Sequence, residues 1–358
     1  MSPAAVSDAV ESGAESIDTT VAALRKVLVS ENVALASRFR ALFSLKHLAS
    51  QHPPTSRTFP AIDAIAAAFT SPSALLKHEL AYCLGQTKHD AAIPYLRSVL
   101  EDREEDAMCR HEAAEALGAL GDVGSVELLA FMRDDESEPT VVRETCDIAL
   151  DRIQWENSKE RRAEKLKARY ETHCLPEIAK GTMKLTLFSD FASIDPAPPM
   201  PLESAPQSIE SLRSTLLDAS LPLFKRYRAM FALRDLASPP DLPTAIPAVQ
   251  ALSAGFTDSS ALFRHEIAFV FGQLSHPASI PSLVTVLSNL QEASMVRHEA
   301  AEALGSLGGE AGVEDTLKTF INDPEQVVRE SVIVALDMAE YERKGEMEYA
   351  MIPEVTAA

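Results

Sequence analysis

Four His-Glu dipeptides stand out in the sequence, His78-Glu79, His111-Glu112, His265-Glu266 and His298-Glu299, each directly behind a lysine or arginine. Imidazole and carboxylate donors without thiolate suit iron, manganese or zinc. Helix neighbours point about 100° apart, so one dipeptide cannot close on an ion as residues three or four apart do. Side-by-side stacking of equivalent helices has to supply the convergence. Two half-sites facing each other would then offer four imidazoles and four carboxylates, the ligand supply of a dinuclear centre.

The elements that carry the pairs are repeats. KHELAYCLGQ (77–86) parallels RHEIAFVFGQ (264–273), and RHEAAEALGAL (110–120) parallels RHEAAEALGSL (297–307). The duplication extends outward: SRFRALFSLKHLA (37–49) matches KRYRAMFALRDLA (225–237), and VVRETCDIAL (141–150) matches VVRESVIVAL (327–336). Within each half the pairs lie 33 residues apart, a helix-pair period. Each unit reads as a first helix, an acidic loop and a second helix with a basic start. In the second unit Leu76, Leu80 and Leu84 share one stripe, and Gly85 is read as the helix stop. The outer units act as an internal control, since the same slot holds Phe39-Arg40, Glu144-Thr145, Tyr227-Arg228 and Glu330-Ser331. The repeat does not require histidine there.

The expected fold is therefore all-α, an α-solenoid of eight helix-pair repeats resembling HEAT repeats, in two pseudo-symmetric halves. The predicted organisation is a flexible extension over 1–21, a four-repeat half over 22–156, a charged helix and Pro-rich linker over 157–207, a second four-repeat half over 208–340, and a tail over 341–358. SIDPAPPMPLESAP (193–206) reads as an extended, mobile tether that leaves the halves free to face each other.

Composition agrees. Of 358 residues 46% are hydrophobic but only 6% aromatic, a balance that favours helices packed on small side chains. The net charge of −20 disfavours nucleic acid and anionic membranes as partners and suits a basic one. Cys83, Cys109, Cys146 and Cys174 lack a CxxC spacing and read as reduced packing residues. No apolar run reaches the roughly 18 residues of a membrane span, so a cytoplasmic protein is expected, with the nucleus a second location. There is no Gly-rich phosphate loop, GxSxG or HExxH. His89 and His276 match between the halves but fall in loops, where a turn or cap role is expected; His47, His52 and His173 have no counterpart, and Trp155 reads as packing.

At the four His-Glu pairs the chain closely resembles the deoxyhypusine hydroxylases, HEAT-repeat enzymes with two such pairs in each of two halves. The resemblance covers nearly the whole chain, all four pairs included. It implies a non-haem di-iron monooxygenase with two Fe(II) ions, O2 as co-substrate and an external electron donor. It further implies hydroxylation of deoxyhypusine, a lysine-derived side chain on a basic loop of a eukaryotic translation initiation factor, by a monomer. Carried over, one iron takes His78, His111 and Glu112 and the other His265, His298 and Glu299; Glu79 and Glu266 hold the substrate amine or metal. Two other readings fit the residues: a non-catalytic HEAT scaffold for a basic partner, and a binuclear hydrolase.

Overall fold

The structure, a computed structural model, describes residues 11–159, 161–162, 193–201 and 208–343. Among these residues there are sixteen α-helices and no strand. They form eight pairs, four in each half. The first half runs α1 (Glu11–Leu28), α2 (Leu35–Ala49), α3 (Thr58–Ala66), α4 (Ala74–Gln86), α5 (Ile93–Glu101), α6 (Ala107–Leu120), α7 (Val126–Asp134) and α8 (Thr140–Glu156). The second runs α9 (Ile209–Leu217), α10 (Leu223–Leu236), α11 (Ala245–Ser253), α12 (Ala261–Leu274), α13 (Ile280–Ser288), α14 (Ser294–Gly305), α15 (Val313–Lys318) and α16 (Gln326–Arg343). Helix α1 crosses the boundary expected at residue 21. Most of the expected charged helix, with His173 and Cys174, and the tail beyond residue 343 lie outside the described residues.

The basic residue that opens each second helix explains how the units stack. Arg38, Arg110, Arg226 and Arg297 each donate through Nε to the end of the preceding first helix, at Leu28, Leu100, Leu216 and Leu287 O, 2.8–3.1 Å away. This satisfies a carbonyl that a helix C-terminus leaves open. The rest of the guanidinium or ammonium group reaches the acidic loop of the next unit. Lys77 meets Glu105 and Arg264 meets Glu292, both at 2.5 Å, Arg110 meets Glu138 at 2.6 Å, and Arg297 meets Asp323 at 2.5 Å. Acidic loop and basic start, both legible in the sequence, are thus two sides of one clasp.

Leu76, Leu80 and Leu84 are fully buried, as their stripe requires. Gly85 is not the helix stop: α4 continues through Gln86 and ends at Thr87. A Cβ at Gly85 would lie 2.8 Å from Ala116 Cβ, so the glycine lets α4 and α6 approach closely.

The second helices form the inner layer, and the layer closes. Helix α8 packs on α10 and α12, and α16 packs on α2 and α4, so the two halves meet at two related seams. Each half's core takes in the other's last helix: Val334 joins the first core and Ile148 the second. At one seam Ser73, the N-cap of α4, donates to Glu330 at 2.7 Å, and at the other Ser260, the N-cap of α12, donates to Glu144 at 2.7 Å. The slot that holds histidine in the inner units holds these carboxylates in the last ones.

The expected mobile tether is corrected over the part described. Residues 193–201 are extended but packed, with Ala197 fully buried in the second core. Met200 N donates to Arg228 O at 3.0 Å, and Gln86 exchanges two hydrogen bonds with Ile194, 2.8 and 3.2 Å. Proline keeps the segment extended, and side chains distant in sequence fix its place.

Candidate metal centre

Helices α4 and α12 carry His78-Glu79 and His265-Glu266; α6 and α14 carry His111-Glu112 and His298-Glu299. Ring closure brings all four pairs to one place. The imidazoles are buried, and centroids of His78 lie 5.4 Å from His111, 5.8 Å from His265 and 5.3 Å from His298. His265 in turn lies 5.3 Å from His111 and 5.4 Å from His298.

Ligand atoms of His78, His111 and Glu112 all fall within 4.8 Å of one another, as do those of His298, Glu299 and Glu302, and of His78, His265 and His298. His78 Nε2 is 3.4 Å from Glu112 Oε2, and its mirror His265 Nε2 is 3.4 Å from Glu299 Oε2. These are contacts short of hydrogen bonds: both ring nitrogens of all four histidines are buried and without a hydrogen-bond partner. Eight orphaned nitrogens in a protein interior need another partner. A cation fits that need.

The electrostatics point the same way. The centre opens into a cavity of about 240 Å³ lined, among the described residues, by six glutamates (Glu79, Glu112, Glu115, Glu266, Glu299, Glu302) and by Lys46 as the one lysine or arginine. Burial pushes the Glu79 carboxyl up to about 7. Burial and neighbouring carboxylates drive Glu115, Glu266 and Glu302 well above the usual range. Burial and the adjacent imidazoles hold His111 and His298 far down, in the neutral form that ligates metal. Burial opposes charge on His78 too, yet the Glu112, Glu79 and Glu299 carboxylates raise it. Divalent cations would relieve this crowding, and the nitrogen-oxygen donor set suits iron, manganese or zinc.

Glu115 and Glu302 were missed among the candidates. They stand four residues after His111 and His298, so they share a helix face with them. Glu302 Oε1 lies 3.4 Å from His298 Nδ1 and accepts from Ser331 at 3.1 Å. The signal was the second Glu of each RHEAAE; the other two pairs are followed by Tyr82 and Phe269 instead, whose rings meet at 6.0 Å. Cys83, one turn after Glu79, directs its thiol at Glu79 Oε1 from 3.8 Å; Cys109 and Cys146 are also free and buried.

The other candidates stay apart from the centre. His276 caps the turn before α13 by accepting from Ala278 N at 3.0 Å. His89 stacks on His52 at 4.2 Å. Trp155 is buried beneath Arg161 and Arg228, 4.6 and 5.0 Å from its ring.

Fold and centre together define a closed HEAT-repeat protein with a shared His/Glu cluster between its halves that could hold metal. The HEAT-repeat family model matches residues 62–151 and 249–337. The chain is 69% identical over 340 residues to deoxyhypusine hydroxylase of Phaeosphaeria nodorum, covering 95% of this chain and 97% of that one. It is 66% identical to deoxyhypusine hydroxylase of Aspergillus fumigatus, covering 96% and 97%. The solved structure of human deoxyhypusine hydroxylase in complex with glycerol superposes with a TM-score of 0.74 at 40% identity, over 92% of this chain and 99% of that one. The chain belongs to the deoxyhypusine hydroxylase family and is a hydroxylase. Among the described residues, no helix is long and apolar enough to cross a membrane.

Proposed function

We propose that the protein hydroxylates the deoxyhypusine side chain of a translation initiation factor to form hypusine, using two iron ions and molecular oxygen. The observation that carries this reading is the meeting of four partnerless imidazoles from two halves of the chain. His78, His111 and Glu112 would hold one iron, and His265, His298 and Glu299 the other. When bound, the pair supplies the reduction of oxygen needed to attack an unactivated C–H bond. In the balanced reaction one oxygen atom enters the C–H bond and the other leaves as water, with two electrons from an external donor and two protons.

The chain's own residues prepare the substrate. Glu79 and Glu266 would accept charge-assisted hydrogen bonds from the amines of a cationic chain and so fix the target carbon. Phe39, Phe43, Tyr82 and Phe269 line the cavity and can pack against its methylenes. Cys83 steadies Glu79. Burial of the centre excludes water from the reacting carbon. The net charge of −20 would draw a basic substrate loop from solution.

The test is to incubate iron-loaded protein with a deoxyhypusine-containing protein under isotopically labelled oxygen and weigh the product. One labelled oxygen atom in the product is expected. Failure to gain it with iron present refutes the oxygenase, and an oxygen-independent hydrolysis would point to the binuclear hydrolase instead.

A further inference from the structure

The duplication should give the centre two equivalent approaches, one at each seam. Among the described residues one is open. On the open side, Phe43 and Lys46 of α2 and Met338 of α16 line the cavity and are half-buried. Their mirror residues are Phe231 and Arg234 of α10 and Arg152 of α8. Phe231 and Arg234 are fully buried, and none of the three lines the cavity.

What covers that side is the segment 193–201. Arg234 Nη1 donates to Asp195 Oδ1 at 2.9 Å and to Gln273 Oε1 at 2.8 Å. Gln273 Nε2 donates to Ser193 Oγ at 2.8 Å, and Gln86, its mirror, is the residue that pairs with Ile194. Arg228 Nε donates to Pro198 O at 3.2 Å. The segment therefore ties the equivalent glutamines of both halves and fills the space where a second mouth would lie. The segment belongs to the connection between the halves, and among the described residues it has no counterpart in the other half.

We propose that residues 193–201 are a built-in plug that makes the site one-sided, so that substrate enters only past Phe43, Lys46 and Met338. Resting on the function proposed above, this gives the two related carboxylates different places along the route. Glu79, near Lys46 and held by Cys83, meets the incoming cationic chain first. Glu266, near Asp195 and Arg234 with its Oε1 unpartnered, lies at the blind end. Asp195 acts as a positioning residue through Arg234 and the plug.

The plug is tested by thiol labelling of the full-length, metal-loaded protein with iodoacetamide at two mirror positions, Phe43→Cys and Phe231→Cys. Labelling reads the fraction of time a site is open, so Phe231→Cys is expected to react at least about tenfold more slowly. Adding Asp195→Ala and Ala197→Glu, which remove an anchor and place a charge at a fully buried position, should bring its rate to that of Phe43→Cys while leaving the latter unchanged. If Phe231→Cys does not fold, Arg152→Cys against Met338→Cys makes the same comparison, with Asp195→Ala alone as the release. Equal rates at the mirror positions, or a protected site indifferent to plug release, would overturn the proposal. If the variants label as expected but the parent protein, iron-loaded, does not hydroxylate deoxyhypusine, the function is refuted and the one-sided site stands.

Discussion

Gly85→Ala and Gly272→Ala are the same substitution at mirror positions, and the structure gives them opposite signs. Alanine in place of glycine inside a helix stabilises by roughly 0.5–1 kcal/mol when nothing else changes. At Gly272 nothing else must change, since the new Cβ would sit 3.4 Å from Ala303 Cα and 3.6 Å from its Cβ. At Gly85 it would sit 2.8 Å from Ala116 Cβ and 3.0 Å from Ala116 Cα, and the backbone itself is in the way. Carbon contacts favour roughly 3.5–4.0 Å, so α4 and α6 have to part by nearly 1 Å. Overpacking of this kind costs about 1–3 kcal/mol, leaving Gly85→Ala net destabilised by up to roughly 2.5 kcal/mol. The separation also exceeds the ~0.5 Å that a ligand set tolerates, and His78 and His111 ride on the two helices concerned. Urea denaturation of the metal-free proteins reads the first effect, and iron per chain after anaerobic loading reads the second. Gly85→Ala as stable as Gly272→Ala with undiminished iron would refute the idea that close helix approach sets the ligand spacing.

Four further outcomes are expected. Rising ionic strength should raise the apparent KM for a basic substrate protein by screening the −20 charge, and an unchanged value removes electrostatic capture. At the seam, Ser73→Ala and Glu330→Ala should each cost about 1 kcal/mol, and a double-mutant cycle in denaturant should show coupling between them; purely additive effects mean the cap is not shared. The Arg38 guanidinium holds the Glu31 carboxyl below its ordinary value, so the pair's contribution is present above the usual carboxylate pKa and fades as pH falls through the lowered one. Glu31→Gln should therefore lower stability at pH 7 and converge on the parent in acid; a constant gap would contradict this. Chelation should lower the melting temperature, since each ion present at 100 times its dissociation constant contributes about 2.7 kcal/mol, and His298→Ala should shrink that difference.

The repeats were legible because duplication writes the same helix pair eight times, and the centre was legible because the outer units lack the pairs that the inner ones share. Gly85 was misread because local rules for helix ends know nothing of Ala116 on the next helix. Glu115 and Glu302 were hidden in a different way: a glutamate in an Ala-rich helix is the commonest solvent-facing residue, and only ring closure turns that face inward. The segment 193–201 carries the composition of a free linker. Its fixation depends on Gln86, Arg228, Arg234 and Gln273, none of which is recognisable as a partner from its own surroundings. What escaped the sequence is in each case a contact between distant parts of the chain.

The seams also bear on how such a site can exist before metal arrives. Six buried or half-buried glutamates around one cavity repel each other, and four imidazoles with orphaned nitrogens add desolvation cost. Left to themselves, these groups would drive the halves apart. The ring is closed by other residues: Arg40 with Asp337, Ser73 with Glu330, Ser260 with Glu144, and the exchange of Val334 and Ile148 between cores. Helix stacking and these seams set the proposed ligands in place in advance, so metal binding would not have to assemble the two halves. The slot occupied by Glu144 and Glu330 thus explains why the last unit of each half carries no histidine: there the same position fastens the ring that the inner units use.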